Sequence, residues 1–277
     1  AMLWFQQGLS ALPVVLVLWT SAAFILSYIT AVLLQHVDPL VPYISDTGTV
    51  VPERCVFGLM LNISSFLGVA TMYVRYKQVE ELNRNEVRVH KWNKAGLALG
   101  IISSFGMCIV ANFQKTSVIS MHWVGAVLTF GIGTIYILCQ TVLSYMMQPH
   151  INGKETFWIR LLVGVWCGVS IVCMFVSSVI MYSSLPGIDV AKKLHWTPGE
   201  TGYTPHIVST ISEWSLAFAF VSFFLTYIRD FQKIKLRAEA ILQSSHLHDT
   251  THYNVNVHVH RGERSPLLAR ACDHADS

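Results

Sequence analysis

Three polar side chains lie inside long apolar stretches, where a polar group needs either a bonding partner or a task. Glu213 is the only acidic residue that we place well inside such a stretch, and Asn62 and His122 occupy two others. A carboxylate inside a bilayer is costly, so it marks either a functional site, such as a proton or ion path, or a structural hydrogen bond. These residues therefore form the candidate polar intramembrane site, and both interpretations remain open.

The sequence contains no pattern typical of an enzyme or a metal centre. It has no Ser/His/Asp grouping, no glycine-rich phosphate loop and no HExxH motif. The six cysteines show no CxxC or Cys/His spacing, and four of them lie in apolar runs, where cysteine packs as a small hydrophobe. The histidines near the C-terminus have no fixed scaffold. We therefore predict a protein that is not an enzyme, with no catalytic residues, bound metal or cofactor.

A short motif near the C-terminus is typical of protein sorting. Glu263 lies four residues before the pair Leu267 and Leu268, which is the acidic dileucine arrangement. Sorting adaptors bind such signals as addresses, in the manner of other short targeting motifs. The motif lies on the side of the membrane that we predict to be cytosolic, where adaptors would reach it. It predicts delivery to endolysosomal membranes.

Six long apolar segments determine the predicted fold. The chain is 53% hydrophobic and 13% charged, against about 25% charged residues in a soluble domain. A membrane-spanning helix needs roughly 20 mostly apolar residues. Six segments satisfy this requirement: 11–34, 55–74, 95–113, 120–145, 157–182 and 207–228. The sequence therefore predicts an all-α, polytopic membrane protein built as a six-helix bundle.

The distribution of basic residues predicts the orientation of the bundle. Fifteen of the 19 lysines and arginines fall on the side that carries both termini, and four fall on the other. Since basic residues concentrate in cytoplasmic segments, we predict that both termini are cytosolic. Two regions follow: residues 1–243 form the membrane domain, including a basic amphipathic helix at 229–243, and residues 244–277 form a disordered cytosolic tail.

Two local features predict how the helices fit together. The pairs Gly96 and Gly100, and Gly164 and Gly168, have the four-residue spacing that lets helices approach closely. We expect packing within the chain, with a dimer interface as the alternative. The segment at 42–49 contains proline, Asp46 and Gly48, which favour a tight turn. We expect this loop to be a rigid cap over the helix ends, with a ligand-contacting role as the alternative.

Several segments on both sides of the membrane resemble one family of membrane proteins. They are PYISDTGT at 42–49, SAAF at 21–24, YVRYK at 73–77, ANFQ at 111–114, EW at 213–214 and RDFQ at 229–232. In this order they resemble the damage-regulated autophagy modulator (DRAM) family over residues 2–243. The opening WFQQG at 4–8 and the long tail are more similar to the second member of that family than to the first.

The resemblance implies a six-helix lysosomal membrane protein that promotes autophagy and supplies no catalytic residues. The wider group includes plasma-membrane proteins that organise phosphoinositide kinases, so a plasma-membrane location is also open. The expected partners are membrane lipids, sorting adaptors, and unidentified autophagy or kinase-scaffold proteins. The net charge of +3 gives no reason to expect nucleic acid. The alternative is a small endolysosomal transporter or channel, which the sparse intramembrane charge and the absence of paired broken helices disfavour.

Overall fold

The predicted all-α, six-helix architecture is confirmed. The structure, a computed structural model, describes residues 8–149 and 152–232, and this part of the chain contains helices but no strand. Six helices are long and apolar enough to cross a membrane: α1 Ala11–Leu33, α2 Glu53–Leu82, α3 Val87–Asn112, α4 Ile119–Met146, α5 Lys154–Ser184 and α6 Tyr203–Phe231.

Five of the six helices extend beyond at least one end of their predicted segments, α2 and α6 among them. Helix α2 continues eight residues past the predicted end of its apolar segment, and α6 continues to Phe231. In α2 the extension carries the pair Lys77–Glu80, with the two charged groups 2.8 Å apart. Such pairs three residues apart stabilise a helix outside the membrane. An apolar segment therefore marks the thickness of the bilayer, whereas the helix itself can continue into water.

Two spans depart locally from regular α-helical geometry. Helix α4 contains a π-helical segment, Val127–Ile132, and α6 contains a 3₁₀ segment, Phe223–Tyr227. Ser103 donates a hydrogen bond of 2.8 Å to the backbone oxygen of Thr129, so α3 supports the π segment. Each irregular segment is continuous with the helix around it. Segments of π-helix are frequent at functional sites.

The core of the bundle is aromatic and centres on α6. Phe220, Phe223, Phe224, Tyr227 and Phe231 are all buried and follow one another along this helix. Tyr136 of α4 packs against Phe223 and Phe224, with ring centroids 6.2 and 6.4 Å apart. Helix α5 contributes less to this core and exposes many apolar side chains to the bilayer. These side chains form an aromatic layer that extends along α6 from the middle of the bundle to its basic end.

The two ends of the bundle differ in their connections. At one end, called here the long-loop end, lie residues 34–52, 113–118 and 185–202, and the first and last of these contain short 3₁₀ turns at Asp46–Gly48 and Val190–Lys192. At the other, called the basic end, lie residues 83–86, 147–149 and 152–153, together with both limits of the described chain. The long-loop end is predicted to face away from the cytosol.

Candidate functional site

The loop at 42–49 is buried along its whole length and is bonded to α6. Glu213 accepts a hydrogen bond from the backbone N–H of Ile44, at 2.7 Å. The indole N–H of the next residue, Trp214, donates to the backbone oxygen of Pro42, also at 2.7 Å. These adjacent residues of α6 both bond the part of the loop that precedes the turn at Asp46–Gly48. The loop is therefore buried and bonded across the helix ends, as expected of a cap.

A buried ion pair fixes the same loop to the connection between α3 and α4. Asp46 and Lys115 form a salt bridge in which both side chains are almost fully buried. The Lys115 ammonium also lies 4.7 Å above the centre of the Tyr43 ring, a cation–π arrangement. Burial raises the pKa of the Asp46 carboxyl, and the charge of Lys115 opposes that shift. Burial likewise raises the pKa of Tyr43. One lysine thus holds two loop residues.

Glu213 and His122 line one cavity beneath this cap. The cavity has a volume of about 50 Å³ and is walled mainly by apolar side chains, with Ser45 and Thr129 as further polar members. His122 donates its Nδ1 hydrogen to the backbone oxygen of Phe113, at 2.8 Å, which places its ring at the end of α3. A cavity needs at least about 10–15 Å³ for one water, so this one can hold a few.

Asn62 belongs to a different contact. Its side-chain amide and that of Asn112 donate to each other, with N···O distances of 3.3 and 3.0 Å, and so join α2 to α3. Asn62 is not among the residues that line the cavity. The structure therefore brings together two of the three candidate residues and assigns the third to helix packing.

Aromatic side chains beneath the cavity limit the chemistry that it can support. A carboxyl and an imidazole in an apolar chamber can hold water or bind a proton. Phe130 and Phe220 also line the cavity, and their rings pack with centroids 6.0 Å apart. Phe224 packs beneath them against Phe220, again at 6.0 Å. In this structure the aromatic layer therefore separates the cavity from the basic end.

The predicted glycine contacts lie within the chain. A side-chain carbon at Gly96 would lie 2.9 Å from the Gln140 amide nitrogen of α4, and one at Gly100 would collide with Met72 of α2. One at Gly164 would lie 3.0 Å from Leu138, whereas one at Gly168 would meet nothing within 4 Å. The first pair and Gly164 therefore serve packing inside the bundle.

Sequence reasoning missed a second buried polar site, at the basic end. Asp230 forms a salt bridge with both Arg75 and Arg160, and all three residues are buried. The distribution of basic residues assigned both arginines to the cytosolic side, and Asp230 lay outside the predicted sixth segment. Asp230 is the second-to-last residue of α6, so it lies at the end of this span, whereas Glu213 lies well inside it. Arg75 and Asp230 both lie in segments that carry the family resemblance, which was the available signal.

Two sequence predictions fall outside the part of the chain that the structure describes. The sorting motif Glu263, Leu267 and Leu268 and the C-terminal histidines belong to residues 233–277. The amphipathic helix predicted at 229–243 is described only as far as residue 232. Within residues 8–149 and 152–232, no group of three or more His, Cys, Asp and Glu side chains is arranged to hold a metal ion.

Comparisons with known proteins place the chain in one family. The family model described as Frag1/DRAM/Sfk1/Cwh43P N-terminal domain matches residues 8–234. The chain is 58% identical to mouse (Mus musculus) DNA damage-regulated autophagy modulator protein 2, over 97% of the chain and 99% of that protein. It is 46% identical to human (Homo sapiens) DNA damage-regulated autophagy modulator protein 1, over 85% and 96%.

A more distant relative carries a similar description. The chain is 38% identical to the Xenopus laevis protein named modulator of macroautophagy TMEM150B-A, over 60% of the chain and 71% of that protein. No solved structure matches the chain. The higher identity to protein 2 than to protein 1 agrees with the resemblance of the N-terminal segment and the tail.

Proposed function

Because the chain belongs to the DRAM family, we propose that it is a non-enzymatic lysosomal membrane protein that promotes autophagy by organising partner proteins or membrane lipids. The observation that carries the proposal is 58% identity over 97% of the chain to a protein named as an autophagy modulator. The names of the protein 1 and TMEM150B-A relatives describe modulators too, and none of these names describes an enzyme.

The internal bonding of the bundle supports a scaffold. Glu213, Trp214 and Lys115 hold the loop at 42–49 against the helix ends. At the opposite end, Arg75 and Arg160 join α2 and α5 to α6. These contacts give a rigid body with fixed surfaces, and such a body suits the binding of partner proteins or lipids.

A small transporter or channel is the second candidate. It is favoured by one observation, that Glu213 and His122 share a cavity beside the π segment of α4. The small volume of the cavity and the aromatic layer beneath it weigh against a continuous path. Uptake of ions or protons into vesicles that contain the purified protein, measured with a radioisotope or a pH-sensitive dye, separates the two candidates. The scaffold proposal predicts no uptake above that of empty vesicles.

Autophagic flux in cells tests the main proposal. Cells from which the gene is deleted should degrade a long-lived autophagy substrate more slowly, and wild-type protein should restore the rate. The degradation must be measured with and without a lysosomal inhibitor, so that the formation of autophagosomes is separated from their clearance. An unchanged rate in deleted cells, with substrate and inhibitor controls behaving normally, would contradict the proposal.

A further inference from the structure

The buried charges at the basic end form a cluster that joins three spans. One carboxylate oxygen of Asp230, Oδ2, accepts hydrogen bonds from Arg75 at 3.1 Å and from Arg160 at 2.7 Å. Both arginine side chains are 0% exposed, and the Asp230 side chain is 8% exposed. The three residues come from α2, α5 and α6, so a single carboxylate bonds two buried guanidinium groups.

The charges in this cluster do not balance. Arginine keeps its proton in proteins, so two guanidinium groups and one carboxylate leave one positive charge in excess. The other hydrogen-bond acceptors of the arginines are neutral: Gln78, Gln140, Ser144 and Thr226. A buried charge without a counter-charge is strongly unfavourable. The Asp46–Lys115 pair at the long-loop end, with one charge of each sign, has no such excess.

The same cluster contains donors that lack acceptors. The Nη2 group of Arg75 is buried and makes no hydrogen bond within the described residues. The hydroxyls of Tyr136 and Tyr227 lie 2.8 Å apart, and one donates its hydrogen to the other. The hydrogen of the accepting hydroxyl has no acceptor within the described residues. Both guanidinium carbons lie near the Tyr227 ring, at 5.3 Å for Arg75 and 5.0 Å for Arg160. Excess positive charge and free donors therefore occur together.

We propose that this cluster is an anion-binding site, which takes either a small inorganic anion or the headgroup of a lipid that carries a net negative charge. The anion would accept hydrogen bonds from Arg75 Nη2 and from the free phenolic hydroxyl, and it would neutralise the excess charge. It would enter past Asp230, the one member of the three-residue cluster that keeps some exposure. The proposal concerns this site alone and does not depend on a role in autophagy.

The thermal stability of the full-length protein in lipid nanodiscs tests the proposal. Chloride and phosphate are titrated in discs of neutral phosphatidylcholine, with gluconate at equal ionic strength as the control for general salt effects. A second arm compares neutral discs with discs that contain phosphatidylserine, at low salt. Binding to the folded state should raise the melting temperature by about 2–4 °C at ten times the dissociation constant.

Three variants connect any shift to the cluster. Arg75→Gln removes the excess charge and the free guanidinium donors, so the anion-dependent shift should disappear. Asp230→Asn leaves two uncompensated positive charges, so the shift should increase. Arg88→Gln removes the same charge from an exposed position at the basic end and should leave the shift unchanged. The opposite expected effects of the first two variants keep the test decisive if Arg75→Gln does not fold.

The two arms identify the source of the anion. If chloride or phosphate raises the melting temperature in neutral discs, and the variants change that effect as expected, the ligand is a free anion. If the rise requires phosphatidylserine, the ligand is a lipid headgroup. The proposal is overturned if neither arm shifts the melting temperature. It is also overturned if gluconate acts as strongly as chloride and phosphate while phosphatidylserine has no effect, or if the shift is the same in wild type, Arg75→Gln and Asp230→Asn.

Discussion

At the scale of single residues, Glu213 is an acceptor for the backbone of a loop. Its carboxylate bonds the N–H of Ile44, 169 positions earlier in the chain, and thereby ties α6 to the cap. The bond accounts for an acidic residue at this depth without requiring a transport role. It also shows why a polar side chain in an apolar segment cannot be interpreted before its partner is known.

Two substitutions of Glu213 separate hydrogen bonding from charge. Glu213→Gln keeps an oxygen that can accept from Ile44, so we expect near-normal expression and melting temperature. Glu213→Leu leaves that N–H without its acceptor and should cost about 1–3 kcal/mol of stability. Thermal unfolding of the purified variants measures both effects. If the glutamine variant is as unstable as the leucine variant, the charge and not the hydrogen bond is essential.

The sorting motif gives a second prediction at the residue scale. Replacing Leu267 and Leu268 by alanine should move the protein from lysosomes to the plasma membrane, because each leucine buried in an adaptor pocket contributes roughly 1.5–3 kcal/mol. Glu263→Ala should have a weaker effect in the same direction, since an exposed charge contact contributes about 0–1 kcal/mol. Surface biotinylation measures the shift, with total expression as the control. If the double variant remains in lysosomes, the sorting signal lies elsewhere in the chain.

At the scale of helices, the closest backbone approach that the glycines reveal is between α3 and α4. A side-chain carbon at Gly106 would lie 2.6 Å from the backbone nitrogen of Thr129, and one at Gly125 would lie 2.9 Å from that of Val110. The two backbones therefore meet beside the π segment. At each glycine two of the three nearest atoms belong to the main chain, so a larger residue cannot be accommodated merely by rotating a side chain.

Gly106→Ala should therefore destabilise the bundle, whereas Gly168→Ala should not. Overpacking typically costs about 1–3 kcal/mol, and here the backbone of α4 must move to accept the added methyl group. At Gly168 an added carbon meets nothing within 4 Å, which makes this substitution the matched control on another span. The melting temperatures of the two variants in one detergent measure the difference. Equal values would contradict the close approach.

At the scale of the whole molecule, the two ends carry different kinds of polar structure. The long-loop end is closed by the buried cap, and the basic end contains the Arg75–Arg160–Asp230 cluster. The orientation of these ends in the membrane is a prediction from the distribution of lysine and arginine. It places the cluster near the cytosolic leaflet and the cap on the opposite side.

Epitope tags test this orientation. A tag after Gly187, which is exposed and has open space around it, should be inaccessible to antibody when only the plasma membrane is permeabilised. A tag at the C-terminus should be accessible under the same conditions, and both should react after full permeabilisation. Val190, three residues further along the connection between α5 and α6, is buried and is therefore unsuitable for a tag. The reverse pattern would invert the predicted topology.

The number of spans and their order could be predicted from the sequence alone, because a bilayer requires a minimum length of apolar helix. The turn at 42–49 was predictable as well, since proline, aspartate and glycine restrict the backbone locally. Family membership followed from local segments that the comparisons confirm. All of these properties depend on residues that are close together in the chain.

The polar contacts were decided only by the tertiary structure. Arg75 lies 155 positions before Asp230, and nothing in either segment specifies that α2 and α6 meet there. For the same reason Glu213 and His122 share a cavity, while Asn62 pairs with Asn112. A hydrophobic segment shows that a helix crosses the membrane, but the face that each polar residue presents depends on how all six helices pack. That packing is a property of the whole bundle.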